Sequence, residues 1–204
     1  MKRIDLQPDR GKFYTQLNNE VDPYIACQVT SMIMGLDIGG FRLDPIIKLP
    51  CSNYKQPEDK LRWYMLNDPV IQDFWRSNFN TKTPAPEWAG CMVFAVNRLY
   101  GRNIVYYDSV LTNEEIRDDL GKGLPIYISM EFLENINFSG KPSPIPGHIV
   151  LITGIEEDGY IIINDPYKNH LTGDRDGFKN IYTPAEYAKH AKGYAVRYRR
   201  EVYG

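Results

Sequence analysis

The sequence predicts an α+β fold in which an N-terminal helical half packs on an antiparallel sheet, and three observations predict it. Helical patterns fill most of the chain before Gly101, and apolar β-branched runs dominate after Leu124. The run HIVLITGI is joined to YIIIN by the turn-rich EEDG, a strong hairpin signal. With 204 residues the chain is long enough for one sizeable core, and it reads as one domain over 1–204.

Residues 13–26 carry turn formers and read as a loop or short strand. From Cys27 to about Gly35, Val29, Met32, Ile33 and Leu36 recur at three- and four-residue steps, as a half-buried helix requires, and Gly39-Gly40 supplies its stop. Residues 57–79 form two short helices broken at Asp68-Pro69, because proline lacks the amide donor and disfavours helix just before itself. In EWAGCMVFAVNRLYG, Trp88, Cys91, Met92, Ala95, Val96 and Leu99 trace one helical face ending at Gly101. TNEEIRDDLGKG opens with a capping box, Thr112 and Glu115, and LPIYISMEF follows as a buried strand. The polar, proline-rich ENINFSGKPSPIPG, residues 134–147, is expected to form an ordered surface loop beside a binding site. After the hairpin come a second capping box at Thr183 and Glu186, a short helix to about Lys192 and a closing strand from Tyr194. The basic tail YAVRYRREVY reads as an edge strand with solvated arginines.

Composition excludes several function classes. Apolar residues make up 43% and charged ones 25%, an ordinary globular balance that argues against disorder. A formal charge of -2 gives no overall field to hold nucleic acid or an anionic membrane. No span approaches the ~20 apolar residues of a membrane helix, and the N-terminus has no apolar run of signal-peptide length, so synthesis in the cytoplasm is expected. The 3 cysteines, Cys27, Cys51 and Cys91, are far apart, without a CxxC pair or a nearby histidine. Neither a structural zinc nor a disulfide framework is expected, and the thiols are read as free in a reducing compartment.

The hairpin can assemble chemistry. His148 opens its first strand and Asp165 closes its second; if Ile155 pairs with Tyr160, Asp165 falls opposite Val150, two residues from His148 on one face. Such diagonal neighbours lie about 7–8 Å apart at the backbone, within reach of a His–Asp hydrogen bond, whereas a slip of one residue would spoil it. An imidazole held by a carboxylate is oriented and better able to hold positive charge. Cys27 supplies a partner nucleophile in the first turn of a helix, where unpaired N–H groups and a nearby imidazolium favour thiolate. Attack on an amide carbonyl needs donors for the oxyanion, and the Cys27 N–H and the Gln16 side chain are candidates.

The order Gln16, then C-x-x-T-S from Cys27 to Ser31, then G-H-I-V-L-I-T-G from Gly147 to Gly154, then N-D-P from Asn164 to Pro166 resembles the C39-like cysteine peptidases, a bacterial and phage branch of the papain-like fold. The resemblance spans about residues 13–168. It implies Cys27 as nucleophile, His148 as general base, Asp165 as its orienting partner and Gln16 as oxyanion donor. The step from Gln16 to Cys27 is longer than the compact papain-like spacing, so Asn18 and Asn19 stand as alternative donors. It further implies amide cleavage through an acyl-enzyme, with no metal and no cofactor, by a monomer acting on a peptide or peptidoglycan substrate in the manner of a phage endolysin released to the cell wall. Acyl transfer to an amine, as in transglutaminase-like relatives, and a non-catalytic peptide-binding module are the alternative readings.

Other residues receive plainer readings. Cys91 lies on an apolar helix face and is read as core, and Cys51 as incidental. His170 and His190 are read as solvated surface residues. The D-x-D-G of GDRDGF hints at calcium but lacks the rest of a twelve-residue loop, so a plain turn is expected. Tyr106, Tyr107, Tyr160, Tyr167 and Tyr182 are assigned to packing before any substrate groove.

Overall fold

The computed structural model describes residues 2–51, 53–79, 89–132 and 147–200. In chain order the elements are β1 (Ile4–Asp5), α1 (Cys27–Ile38), α2 (Asp44–Ile47), α3 (Pro57–Asn67), α4 (Pro69–Phe79), α5 (Ala89–Tyr100), β2 (Val105–Asp108), α6 (Asn113–Gly121), β3 (Ile126–Glu131), β4 (Gly147–Ile155), β5 (Ile161–Asn164), β6 (Asn180–Tyr182), α7 (Pro184–His190) and β7 (Ala191–Tyr198). A single turn of 3-10 helix at Gln16–Asn18 precedes α1. The chain breaks between α3 and α4 at Asp68-Pro69, and both capping boxes form, Thr112 with Glu115 and Thr183 with Glu186. Trp88 and the proline-rich loop expected beside the site lie outside the described residues.

The sheet runs β2-β7-β3-β4-β5-β6, every neighbouring pair antiparallel, and β1 pairs with the far end of β4. Alternation along the strands divides the apolar side chains into two cores. Ile149, Leu151, Tyr127, Val196 and Tyr198 join the helices α1, α3, α4 and α5, whereas Val150, Ile152, Ile126, Ile128 and Ala195 join α6 and α7. Helices thus cover both faces, and α1 is more than half-buried: every residue from Gln28 to Leu36 is buried. It can pack this closely because Gly35 has no side chain; a Cβ there would sit 1.9 Å from the Tyr198 hydroxyl.

The basic tail departs from expectation. β7 is an interior strand between β2 and β3 rather than an edge. Its Arg197 is held bidentate by Asp119 at 2.6 and 2.8 Å and by Asp108 at 3.1 Å, while Arg199 lies over the Tyr106 ring. Local charge suggested a solvated edge, but two carboxylates from other elements neutralise the arginine and let the strand go inside. Among the described residues no helix is long and apolar enough to cross a membrane.

Candidate active site

Cys27 is the first residue of α1, and the loop before it is tied from below. Two backbone amides, Glu20 N–H and Val21 N–H, donate to the buried Asp59 carboxylate of α3 at 2.8 and 3.1 Å. Asp22 sits in the left-handed region at φ 45° and pairs with the Arg62 guanidinium at 3.0 Å, so α3 fixes the turn that delivers Pro23 and then the thiol. The sequence marked α3 only as a core helix; a carboxylate and an arginine one helical turn apart were the available signal. The Thr and Ser of the motif also act locally. Thr30 Oγ1 accepts from Asn19 Nδ2 at 3.2 Å, and Ser31 Oγ donates to the Ile149 carbonyl at 3.1 Å, which pins α1 to β4 next to His148.

His148 and Asp165 meet as the hairpin arithmetic requires, by a different route. Ile155 pairs with Ile161 and Gly154 with Ile162, one residue off the expected register; a bulge at Thr153 then restores it, so that Ile152 pairs with Ile163 and Leu151 with Asn164. Continued one step, that register sets Asp165 opposite Val150. His148 Nε2 donates to Asp165 Oδ1 at 2.7 Å, both residues buried, which leaves Nδ1 as the ring nitrogen available to the half-buried Cys27, near enough to act on the titration of the ring. Burial alone would lower the His148 pKa, but the charge and hydrogen bond of Asp165, with those of Cys27, outweigh it and raise the pKa to about 10. Burial likewise acts to raise the Asp165 pKa, and the positive His148 together with backbone donors leaves it lowered.

Asp165 is itself built in. Its Oδ1 also accepts from Tyr167 N–H at 2.8 Å and Lys168 N–H at 3.2 Å, and its own N–H donates to the Gly177 carbonyl at 2.8 Å. Only glycine fits at 177, since a Cβ would stand 1.9 Å from the Asp165 carbonyl oxygen. The stretch GDRDGF therefore folds back under the site, its Asp176 paired with Arg10. Asn164 alternates to the opposite side, where it bonds Gln7, Lys179 N–H and the Met34 sulfur.

His170 is not a solvated surface residue. Its side chain is 6% exposed, its ring stacks on Phe132 with centroids 4.1 Å apart, and its Nε2 lies 3.5 Å from Asp165 Oδ2. Burial, with the positive charges of His148, Lys168 and His190, overcomes the attraction of Asp165 and lowers its pKa to about 3, so the ring is neutral at ordinary pH. The turn formers after Asp165 suggested solvent; they curl the chain back instead. An imidazole five positions past the carboxylate, in a turn-rich stretch, was the readable hint. His190 lies within 4.8 Å of the Phe132 ring and bonds the Glu131 carbonyl. Among the described residues, His148, Asp165 and His170 are the one trio with ligand atoms close enough for a metal, within 4.8 Å of one another. Oδ1 already accepts three hydrogen bonds there, which suits a hydrogen-bonded chain better than a metal.

Gln16 is buried beside this apparatus. Its N–H and the Thr15 hydroxyl both donate to the Pro166 carbonyl, at 2.8 and 3.0 Å, joining its segment to the Asp165 turn. Its side-chain Nε2 donates to the Pro23 carbonyl at 2.7 Å. Asn19 is committed to Thr30, and the Asn18 carbonyl accepts from Gln56. A pocket of about 270 Å³ lined by Leu17, Pro23, Tyr24 and Arg175 opens next to the Gln16–Pro23 contact. Cys51 and Cys91 are buried, and burial raises the Cys91 pKa to about 11. Tyr182 is core and Tyr107 stacks on Tyr194, while Tyr167 stands edge-on to His148.

The Peptidase_C39 like family model matches residues 10–190, and the chain belongs to that family. Its fold is that of C39-like peptidases. A candidate C39-like peptidase from Bacillus anthracis superposes with a TM-score of 0.61 at 18% identity, covering 98% of this chain and 99% of that one. Xylellain, a cysteine protease from Xylella fastidiosa, gives 0.47 at 14% identity, covering 98% of this chain and 87% of its own. No curated protein matches the chain in sequence.

Proposed function

We propose that this peptidase cleaves amide bonds through a thioester on Cys27. The observation that carries the reading is the buried Asp165 Oδ1–His148 Nε2 hydrogen bond beside the half-buried Cys27 at the start of α1, near enough to act on the titration of the ring. A ring that keeps its proton beside a sulfur at a helix start favours the thiolate–imidazolium pair. The thiolate adds to the carbonyl carbon, and the oxyanion takes the Cys27 N–H and the Gln16 Nε2 hydrogen that is not spent on Pro23. As the C–N bond breaks, His148 gives its proton to the leaving amine. The neutral ring then takes a proton from water, whose oxygen attacks the thioester; collapse releases the acid and the Cys27 thiolate, restoring the starting ion pair. Asp165 stays ionised throughout and holds the ring's orientation.

For substrate, peptidoglycan stem or cross-bridge peptides are the first class to test, with release to the wall in the manner of a lysin. That choice rests on the family resemblance and on no residue of the site. Purified walls of several chemotypes should be digested with wild type and Cys27→Ala, with and without a labelled amine, and the products identified by mass spectrometry. New amino termini with wild type alone are expected. Label built into product would instead assign acyl transfer, and release by Cys27→Ala would end the cysteine reading.

A further inference from the structure

The two oxygens of Asp165 are served unequally. Oδ1 accepts from His148 at 2.7 Å, Tyr167 N–H at 2.8 Å and Lys168 N–H at 3.2 Å. Oδ2 is buried with no hydrogen bond, and so is His170 Nε2, which faces it at 3.5 Å. Buried polar atoms are rarely left unpaired, and here each orphan is the group the other lacks. Catalytic hydrogen bonds are often long in the free enzyme and tighten in the complex. The His170 ring is kept in place by its stack on Phe132, 10° from parallel, and by Tyr167 at 6.2 Å between centroids. The remaining charged or titratable groups that act on it among the described residues are His148, Lys168 and His190, all nitrogen bases, so Asp165 is its one anionic neighbour among those residues.

We propose that His170 is a positioning residue for Cys27 chemistry, donating Nε2–H to Asp165 Oδ2 so that Oδ1 stays aimed at His148. The proposal rests on the reading of Cys27, His148 and Asp165 given above. With one oxygen bonded only by its neighbours on the other side, the carboxylate can rotate about its terminal torsion; a second anchored oxygen prevents that. A neutral donor suits the task, because a second cation would compete with His148 for the carboxylate charge.

Two replacements separate hydrogen bond from packing. His170→Phe keeps a flat ring on Phe132 and removes the donor; His170→Gln keeps an N–H donor and removes the ring. Turnover of a Cys27-dependent substrate should fall about tenfold in kcat in His170→Phe with KM unchanged, and His170→Gln should recover most of it. The pH profile of Cys27 alkylation by iodoacetamide needs no substrate. Its alkaline limb, where His148 gives up its proton, should move to lower pH in His170→Phe and return toward wild type in His170→Gln. Equal behaviour of both variants and wild type would overturn the proposal, as would equal impairment of both with lowered melting temperature, which means packing alone. If wild type shows no dependence of Cys27 reactivity on His148, the functional reading fails first. Side-chain 15N spectra of His170 in wild type still decide the contact then: a neutral ring protonated at Nε2 supports it, and protonation at Nδ1 alone refutes it.

Discussion

Two histidines flank one buried carboxylate and end in opposite states. His148 bonds Asp165 at 2.7 Å with Cys27 beside it, and it holds its proton to about 10. His170 lies 3.5 Å from the same carboxylate, among positive neighbours and against Phe132, and is neutral down to about 3. Both side chains are buried, so burial alone does not separate them. What separates them is that His148 has the carboxylate at 2.7 Å with Cys27 beside it, whereas His170 has the same carboxylate only at 3.5 Å and shares it with a cation.

The largest effects should come from the charged side. Cys27→Ala is expected to abolish Cys27-dependent turnover, and His148→Ala to lower kcat/KM by about 10³-fold or more; peptide assays by mass spectrometry check both. Asp165→Ala should lower kcat/KM less than His148→Ala does and stay measurable above Cys27→Ala, because the carboxylate orients the base without carrying the transferred proton. Wild-type activity in that variant would mean that His148 is oriented by another group.

A smaller effect tests the turn that carries Asp165. Gly177→Ala forces a methyl toward the Asp165 carbonyl and should lower stability by about 1–3 kcal/mol in urea unfolding, with kcat reduced as well. Unfolding that matches wild type would show that the turn relaxes freely. The smallest effects lie in pH dependence. The His148 pKa is raised above the ~6.5 of an unfolded histidine, so its contribution is full below about 6.5 and is lost as pH rises toward 10. The His170 pKa is lowered, so the native state is favoured above about 6.5 and loses ground as pH falls toward 3, where the unfolded chain takes up the proton first. Urea midpoints across pH should therefore flatten on the alkaline side in His148→Ala and on the acid side in His170→Phe.

Much of this was legible before any coordinates, because short-range rules governed it. The caps at Thr112 and Thr183, the break at Asp68-Pro69 and the hairpin all follow from neighbours in sequence. The meeting of His148 with Asp165 was legible only in outcome. The expected turn register was one residue off, and the bulge at Thr153 cancelled the error, a feature that no local propensity in LITGI announces. What stayed hidden depended on partners distant in sequence. Arg197 goes inside because Asp108 and Asp119 come from other elements, and His170 is buried because the 166–177 turn folds back onto Phe132. Likewise α3 supplies Asp59 and Arg62 to a loop some forty residues earlier, a pairing that helical periodicity does not encode.

The most direct test is the alkylation of Cys27 by iodoacetamide from pH 5 to 11 in wild type and His148→Ala, followed by peptide mapping, with buried Cys51 and Cys91 as internal controls. The expected result is rapid modification of Cys27 near neutral pH in wild type, with reaction confined to alkaline conditions in His148→Ala while the two controls stay slow in both. Superimposable Cys27 profiles in the two proteins, or a Cys27 as slow as Cys91, would contradict a sulfur activated by His148 and Asp165.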